Sequence, residues 1–155
     1  MSDTPALLVI DVQQSFLHAP YWREDDVPTF REKLLQLIDG ASARGWPIVR
    51  ILHEEAAGHF SVASGLVQPM AWVPQVHDTV FRKQVHNAFT GTGLQAWLRE
   101  RGIGRVIISG IRSEQCCETT ARVASDLGFD VDYVTEATLT FPMIHAGSGT
   151  RYDAQ

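Results

Sequence analysis

Short apolar runs alternate with amphipathic stretches along most of the 155-residue chain. Continuous apolar runs are typical of strands that are buried on both faces, whereas apolar residues spaced three or four apart predict helices. The predicted strands are residues 6–10, 47–52, 78–82, 105–111 and 131–134, and the predicted helices are 27–44, 91–101 and 116–127. This alternation predicts an α/β fold: a single-domain three-layer α/β/α sandwich with a mainly parallel, Rossmann-like sheet.

One stretch, residues 53–76, follows neither period and is rich in Gly, Ala, Ser and His. Loops of this length without regular structure are uncommon in compact domains, and those that occur are often functional. We therefore expect residues 53–76 to contribute to ligand specificity, together with the residues near Trp22.

Charge and composition exclude several classes of protein. The 18 acidic and 13 basic residues give a formal net charge of −5, which argues against nucleic acid or an anionic membrane as a partner. No apolar run is long enough to span a bilayer, and the start lacks the features of a signal peptide. The only two cysteines, Cys116 and Cys117, are adjacent, so no disulfide framework is expected. These features predict a cytoplasmic protein with reduced thiols.

Cys116 is the strongest candidate for a reactive residue. The strand predicted at 105–111 leads directly into a predicted helix, with Ser113 as the expected N-cap and Cys116 at the third helical position. A thiol at the start of a helix faces the positive end of the helix dipole, which favours the thiolate. Since the thiolate is the nucleophilic form, this position predicts covalent chemistry.

Two further polar residues follow predicted strands. Asp11 comes after the first strand and Lys83 after the third, while Cys116 lies just beyond the fourth. Sites in open α/β sheets form at the carboxyl ends of the strands, so these three side chains share the edge at which a site is expected. Taken singly, an Asp after a strand is most often a turn residue, and a Lys is most often a solvated charge.

Three segments, in the same order and covering most of the chain, resemble the isochorismatase-like cysteine hydrolase superfamily. This superfamily includes nicotinamidases and N-carbamoylsarcosine amidohydrolases. The segments are LVIDVQQSF at 8–16, FRKQVHNAF at 81–89 and GIRSEQCCETTA at 110–121. Ser113 stands where the family usually has Thr, and Cys117 where it usually has a small apolar residue.

The resemblance implies a catalytic triad of Asp11, Lys83 and Cys116. Asp11 would take the thiol proton, Lys83 would stabilise the resulting charge, and Cys116 would attack an amide carbonyl to form a thioester that water releases. It also implies a cis peptide bond between Ile111 and Arg112. The backbone N–H groups of Arg112 and Cys116 would then form the oxyanion hole.

Other features of the site are expected with less support from motifs. We expect no cofactor and no metal, because His53, His59, His77 and His86 are scattered, and residues 52–55 do not match the metal-binding pattern of nicotinamidases. A small-molecule substrate and a homo-oligomer are expected, with an exposed apolar face near the fifth strand. The substrate-pocket candidates are Gln13, Phe16, Trp22, His53 and Phe89.

The domain is expected to span residues 1–155. Family members usually continue with a further helix and strand, so we expect a shortened or mobile Gly/Ser-rich end. Three other functions stay open: a vinyl-ether hydrolase of the isochorismatase type, a thiol redox protein using Cys116 and Cys117, and a binding protein without catalytic activity. Retention of the cysteine argues against the first, and the absence of a Cys-x-x-Cys motif argues against the second.

Overall fold

The computed structural model describes residues 4–141, 143–144 and 151–152, and within them it contains the predicted α/β sandwich. The strands of the main sheet are β1 (Ala6–Ile10), β2 (Ile48–His53), β3 (Thr79–Lys83), β4 (Arg105–Ile111) and β5 (Asp130–Leu139). The helices are α1 (Val27–Ala43), α2 (Leu94–Glu100) and α3 (Glu118–Asp126). All the strand pairs in this sheet are parallel, in the order β3-β2-β1-β4-β5.

The shorter elements connect or follow these. Single 3-10 turns cover Gln14–His18, Gly58–Phe60 and Val62–Ser64, and a π turn covers Ser113–Cys117. A small antiparallel pair joins β6 (Met143–Ile144) and β7 (Arg151–Tyr152). The remainder of the predicted mobile tail lies outside the described residues.

Alternation of side chains along the central strand builds the core on both faces of the sheet. Leu7 and Val9 of β1 pack with Leu34 and Ile38 of α1. Ala6, Leu8 and Ile10 point to the other face, in a cluster that includes residues of α2 and α3. Because both faces are covered by helices, β1 is buried throughout and appears in the sequence as an unbroken apolar run.

The strand order reverses on either side of β1, which lies between β2 and β4. At such a point the connections leave the sheet in opposite directions and open a crevice at the carboxyl ends. Ile10 pairs with Ile51 on one side and with Gly110 on the other. Gly110 has a φ of +130°, and a Cβ there would collide with the carbonyl oxygen of Ile10. This glycine therefore permits the close approach of β4 to β1 at the crevice.

Among the differences between the predicted and the observed elements, two concern β5 and the start of α3. β5 extends to Leu139 rather than ending at 134, with a shift of register opposite residues 108–110 of β4. The helix predicted to start at 116 is preceded by the π turn, and Ser113 is not its N-cap. The Ser113 hydroxyl instead donates to Thr138 Oγ1 of β5 at 2.7 Å, so a tertiary contact takes the oxygen that would have capped the helix.

Two other expectations, about membrane spans and about an exposed apolar face, can be compared with the described residues. No helix in the described part of the chain combines the length and apolarity needed to cross a membrane. The expected apolar face near the fifth strand is wrong for the described residues of β5, none of which is a large exposed hydrophobic side chain. The exposed ones are instead Leu17, Tyr21, Val62, Val76, Val80 and Val85.

Candidate active site

Asp11 follows β1 directly and is almost completely buried. It has a φ of +56°, a left-handed conformation that Asp tolerates better than most residues. Its N–H donates to Ile51 O at 2.8 Å, and its carbonyl accepts from Gln13 N at 2.9 Å. This turn holds the carboxylate at the crevice between β1 and its neighbours.

Lys83 is the last residue of β3, and its side chain has no exposed surface. The Nζ atom lies 3.0 Å from Asp11 Oδ2 and donates to Cys116 Sγ at 3.2 Å. It also donates to His53 Nδ1 at 3.0 Å and to Val85 O at 3.1 Å. A buried ammonium requires such partners, because its desolvation would otherwise be costly. Asp11, Lys83 and Cys116 are thus brought together in the structure.

Cys116 is the fourth residue of the π turn and leads into α3. The Gln115 and Cys117 N–H groups both donate to Arg112 O at 3.2 Å, which folds the turn back onto the end of β4. Cys116 is only 6% exposed and Cys117 is completely buried, and both belong to the core cluster that faces α2 and α3. Both cysteines are free thiols.

Burial has the largest effect on the pKa of the Cys116 thiol. Burial, followed by the charge of Asp11, raises this pKa to about 12, although Lys83 lowers it. Desolvation thus opposes the thiolate that the sequence analysis expects at the start of the helix. Burial also raises the pKa of Asp11, against the opposing charge of Lys83. A carboxylate with a raised pKa is a better acceptor for the thiol proton.

The peptide bond between Ile111 and Arg112 is cis, at the position to which the family resemblance assigns one. The Arg112 side chain forms an ion pair with Glu114 Oε1 at 2.8 Å, and its guanidinium carbon lies 4.8 Å from the centre of the Tyr21 ring. Glu114 in turn accepts a hydrogen bond from Thr140. These contacts connect the turn to the segment after β1 and to the residue after β5.

Two of the expected pocket residues have structural contacts instead. The Gln13 side chain is completely buried and exchanges hydrogen bonds with the backbone of His53, its Nε2 donating to His53 O at 2.9 Å and its Oε1 accepting from His53 N at 2.8 Å. The His53 ring has Nδ1 against Lys83 and Nε2 at 3.2 Å from Glu55 Oε2. Both side chains are held by protein contacts, and their assignment to a substrate pocket stays a prediction.

The rings of Phe16 and Trp22 lie 6.5 Å apart on one face of the sheet, whereas Phe89 lies on the other face. Phe16 is buried, with its ring 5.0 Å from that of Phe60 in an edge-to-face arrangement. Trp22 packs against Phe141 at 5.2 Å. Phe89 stacks on Phe129 at 5.7 Å, in the core that faces α2 and α3. Phe16 and Phe89 are thus core residues of opposite faces, and the structure does not bring them together.

His86 is a site residue that the sequence analysis did not single out. Its Nδ1 lies 3.7 Å from Cys116 Sγ, and its side chain is exposed. The available signal was its position three residues after Lys83 in the second motif segment, although spacing alone does not show on which side of the loop a side chain lies.

Other features surround this centre. An open cleft of about 660 Å³ adjoins the His53–Glu55 pair and is lined by Glu54, Glu55, Ala56, Ser61, Val62, Ala63 and Gln84. Most of these residues belong to the 53–76 stretch. In the described ranges, no three His, Cys, Asp or Glu side chains are grouped so that they could hold a metal ion.

Comparisons with known proteins agree with this geometry. The isochorismatase domain family matches residues 5–146. The isochorismatase family protein YrdC of Bacillus subtilis is 28% identical over 163 residues, covering 99% of this chain and 83% of that protein. The structure of an isochorismatase family protein from Chromobacterium violaceum superposes with a TM-score of 0.86 at 32% identity, covering 99% of this chain and 80% of that one.

One relative carries the name of an amide-cleaving enzyme. Nicotinamidase 3 of Arabidopsis thaliana is 44% identical over 64 residues, which is 41% of this chain and 32% of that protein. The fold and the family match define a Rossmann-like α/β/α protein of a hydrolase family. The chain belongs to the isochorismatase family of hydrolases.

Proposed function

We propose that the protein is a cysteine-dependent hydrolase of a small-molecule amide or related C–N bond. The observation that carries the proposal is the position of the Lys83 ammonium, 3.2 Å from Cys116 Sγ and 3.0 Å from Asp11 Oδ2. A lysine buried between a thiol and a carboxylate can stabilise a thiolate in a site that excludes most water. The match to a nicotinamidase supports a C–N bond as the target.

In the proposed mechanism Cys116 Sγ attacks the carbonyl carbon while its proton passes to Asp11. The C–N bond breaks, the amine or ammonia leaves, and a thioester remains on Cys116. The backbone N–H groups of Arg112 and Cys116 stabilise the oxyanion. Water then attacks the thioester carbon, the C–S bond breaks, and the acid is released as the thiol regains its proton.

The resting protonation states fit this sequence of steps. The raised pKa of Cys116 means that its proton must leave as the sulfur attacks, and the raised pKa of Asp11 reduces the cost of that transfer. Lys83 lowers the pKa of the thiol and so favours the charged transition state over the neutral ground state. Differential stabilisation of this kind increases kcat rather than binding.

A redox function for the cysteine pair has less support. Cys117 is completely buried, whereas Cys116 Sγ contacts Lys83 and the exposed His86. Adjacent cysteines form only a strained ring. The retained cysteine likewise gives no support to a vinyl-ether hydrolase of the type that lacks it.

The experiment that tests the proposed function is a hydrolysis screen over small primary amides, N-carbamoyl compounds and nicotinamide, with release of ammonia or acid as the readout. We expect turnover of at least one compound by the wild-type protein and its loss in Cys116→Ala. The matched control is Cys117→Ala, which should keep activity and lose about 1 kcal/mol of stability. Loss of activity in a folded Cys117→Ala, with Cys116→Ala active, would contradict the assignment.

We also propose that the substrate enters a site covered in part by a second copy of the chain, in a cytoplasmic homo-oligomer. Exposed apolar side chains follow three strands: Leu17 and Tyr21 follow β1, Val62 follows β2 and Val85 follows β3. Such side chains beside one crevice favour association. Light scattering at micromolar concentration tests this, and a fully active monomer would refute it.

A further inference from the structure

The proposed reaction needs proton transfers on two sides of the sulfur atom. One proton leaves the thiol, and Asp11 lies where it can accept it. Two others move on the substrate side: the departing nitrogen must gain a proton, and the attacking water must lose one. Asp11 and the Lys83 side chain are almost completely buried beneath Cys116, so neither faces the solvent from which substrate and water arrive.

His86 is the exposed titratable group at this sulfur. Among the described residues, the titratable side chains that hydrogen-bond with Cys116 are Lys83, with Nζ 3.2 Å from Sγ, His86, with Nδ1 3.7 Å from Sγ, and Asp11. Of these, His86 alone has an exposed side chain. Histidine is also the residue type that most readily gives and takes protons near neutral pH.

The loop that carries His86 is hydrogen-bonded on one side to Lys83 and on the other to α3, the helix that follows Cys116. On one side, Lys83 Nζ donates to Val85 O at 3.1 Å. On the other, the Ala88 N–H donates to Thr120 Oγ1 at 3.0 Å, and Thr120 belongs to α3, the helix that follows Cys116. Because His86 lies between these two attachments, its placement beside the sulfur is a consequence of the fold rather than of a free surface loop.

We propose that His86 is the catalytic acid and base on the substrate side of Cys116, an inference that rests on the proposed function. In acylation, Cys116 gives its proton to Asp11 as the C–S bond forms, and protonated His86 gives its proton to the nitrogen as the C–N bond breaks. In deacylation, neutral His86 takes a proton from water as the C–O bond forms, and the sulfur regains its proton from Asp11 as the C–S bond breaks. Both residues return to their starting states.

The test separates the two half-reactions with p-nitrophenyl acetate, whose leaving group departs without a proton. Intact-protein mass spectrometry follows acetylation of Cys116 and then, after removal of the ester, loss of the acetyl group. We expect His86→Ala to be acetylated at a rate within about threefold of wild type and to be deacetylated about 100-fold more slowly. Added imidazole should restore deacetylation in His86→Ala, a result that a purely structural role would not give.

Two further variants are controls, one for the loss of a polar side chain at position 86 and one for the loss of any exposed histidine. His86→Gln, which keeps a polar side chain, should show the same slow deacetylation. His77→Ala removes another exposed histidine, before the start of β3 and away from the carboxyl ends, and should behave as wild type. Deacetylation of His86→Ala at the rate of His77→Ala, or an equal loss of both steps without rescue by imidazole, would overturn the role of His86 alone. Failure of the wild-type protein to acetylate at Cys116 would overturn the proposed function and this inference together.

Discussion

Lys83 Nζ lies 3.0 Å from Asp11 Oδ2 and 3.2 Å from Cys116 Sγ. The ammonium has three protons to donate, and His53 Nδ1 and Val85 O also lie within hydrogen-bond distance. Burial raises the pKa of Asp11, while the charge of Lys83 and the hydrogen bonds from Cys116 and Lys83 oppose that rise. Asp11 is thus paired with the ammonium and lies within hydrogen-bond reach of the thiol whose proton it would accept.

This arrangement predicts opposite effects of Asp11→Asn on two properties of Cys116. Hydrolysis should fall by about 100-fold or more, since the acceptor of the thiol proton is lost. Alkylation by iodoacetamide near neutral pH should become faster than in wild type, because the Asp11 charge raises the pKa of Cys116 and its removal lowers that pKa. Rates of labelling and of hydrolysis, measured on the same preparations, check both effects.

The pH dependence of alkylation shows whether the Asp11 charge raises or lowers the pKa of Cys116. In the wild-type protein the labelling rate should keep rising as the pH approaches about 12, the pKa of the thiol, whereas in Asp11→Asn it should level off at a lower pH. Asp25→Asn, at an exposed carboxylate, is the control and should match wild type. A decrease in labelling that accompanies the decrease in hydrolysis would show that Asp11 does not raise the pKa of the thiol.

A second prediction concerns the pair formed by His53 and Glu55. For His53 Nδ1 to accept from Lys83, the ring proton must be on Nε2, where Glu55 Oε2 lies 3.2 Å away. Glu55 therefore selects the tautomer that positions Lys83. We expect Glu55→Gln to lower kcat about tenfold, the effect of one hydrogen bond to a charged group, with KM nearly unchanged.

The neighbouring Glu54 supplies the control for this pair. Its side chain contacts Arg82 and Gln84 rather than the His53 ring, so Glu54→Gln should keep the wild-type kcat. His53→Gln should lower kcat at least as much as Glu55→Gln does. Equal kcat values in Glu54→Gln and Glu55→Gln would exclude a positioning role for Glu55.

A third prediction concerns the approach of β4 to β1. Gly110→Ala combines a φ of +130° with a collision against the Ile10 carbonyl, so it should cost about 3 kcal/mol or more in free energy of unfolding. Gly102→Ala, where φ is +67° and no atom lies near the added Cβ, should cost only about 1 kcal/mol. Urea denaturation measures both, and similar losses would contradict the proposed close approach.

A fourth prediction is that hydrolysis requires no metal ion. The His53 ring contacts Lys83 and Glu55, and His86 lies at Cys116. On the surface, the His59 ring lies 5.7 Å from the tilted ring of His18. Exhaustive dialysis against a chelator should leave kcat unchanged. Loss of activity that added zinc or iron restores would show that the reaction depends on a metal.

The parts of the fold that could be predicted are those that local pattern determines. β4 was predicted at 105–111, with the bounds it has in the structure, because both its faces are buried and its sequence is an apolar run. β5 was predicted too short, since exposed Thr135 and Glu136 interrupt its apolar pattern before the buried residues 137–139. The role of Ser113 depends on Thr138, which is 25 residues away along the chain.

In the candidate site, too, local sequence pattern predicts some features, while others depend on contacts between distant residues. Asp11, Lys83 and Cys116 could be placed at the carboxyl edge of the sheet because each follows a predicted strand of a parallel sheet. The three motif segments also contain these residues. His53 also ends a strand, but the sequence does not show that its ring faces Lys83 rather than a ligand. From the sequence, His86 entered only among the histidines that are too scattered to bind a metal, because its contact with Cys116 depends on the path of the loop after β3.

The central claim is that Cys116 forms a thioester with its substrate. The most direct measurement is rapid acid quench of the wild-type protein during turnover of a hydrolysed amide, followed by peptide mass spectrometry. We expect an acyl group on the peptide that contains Cys116 and Cys117, located on Cys116 by fragmentation and retained in Cys117→Ala. Turnover by Cys116→Ala, or an acyl group located on Cys117, would contradict it.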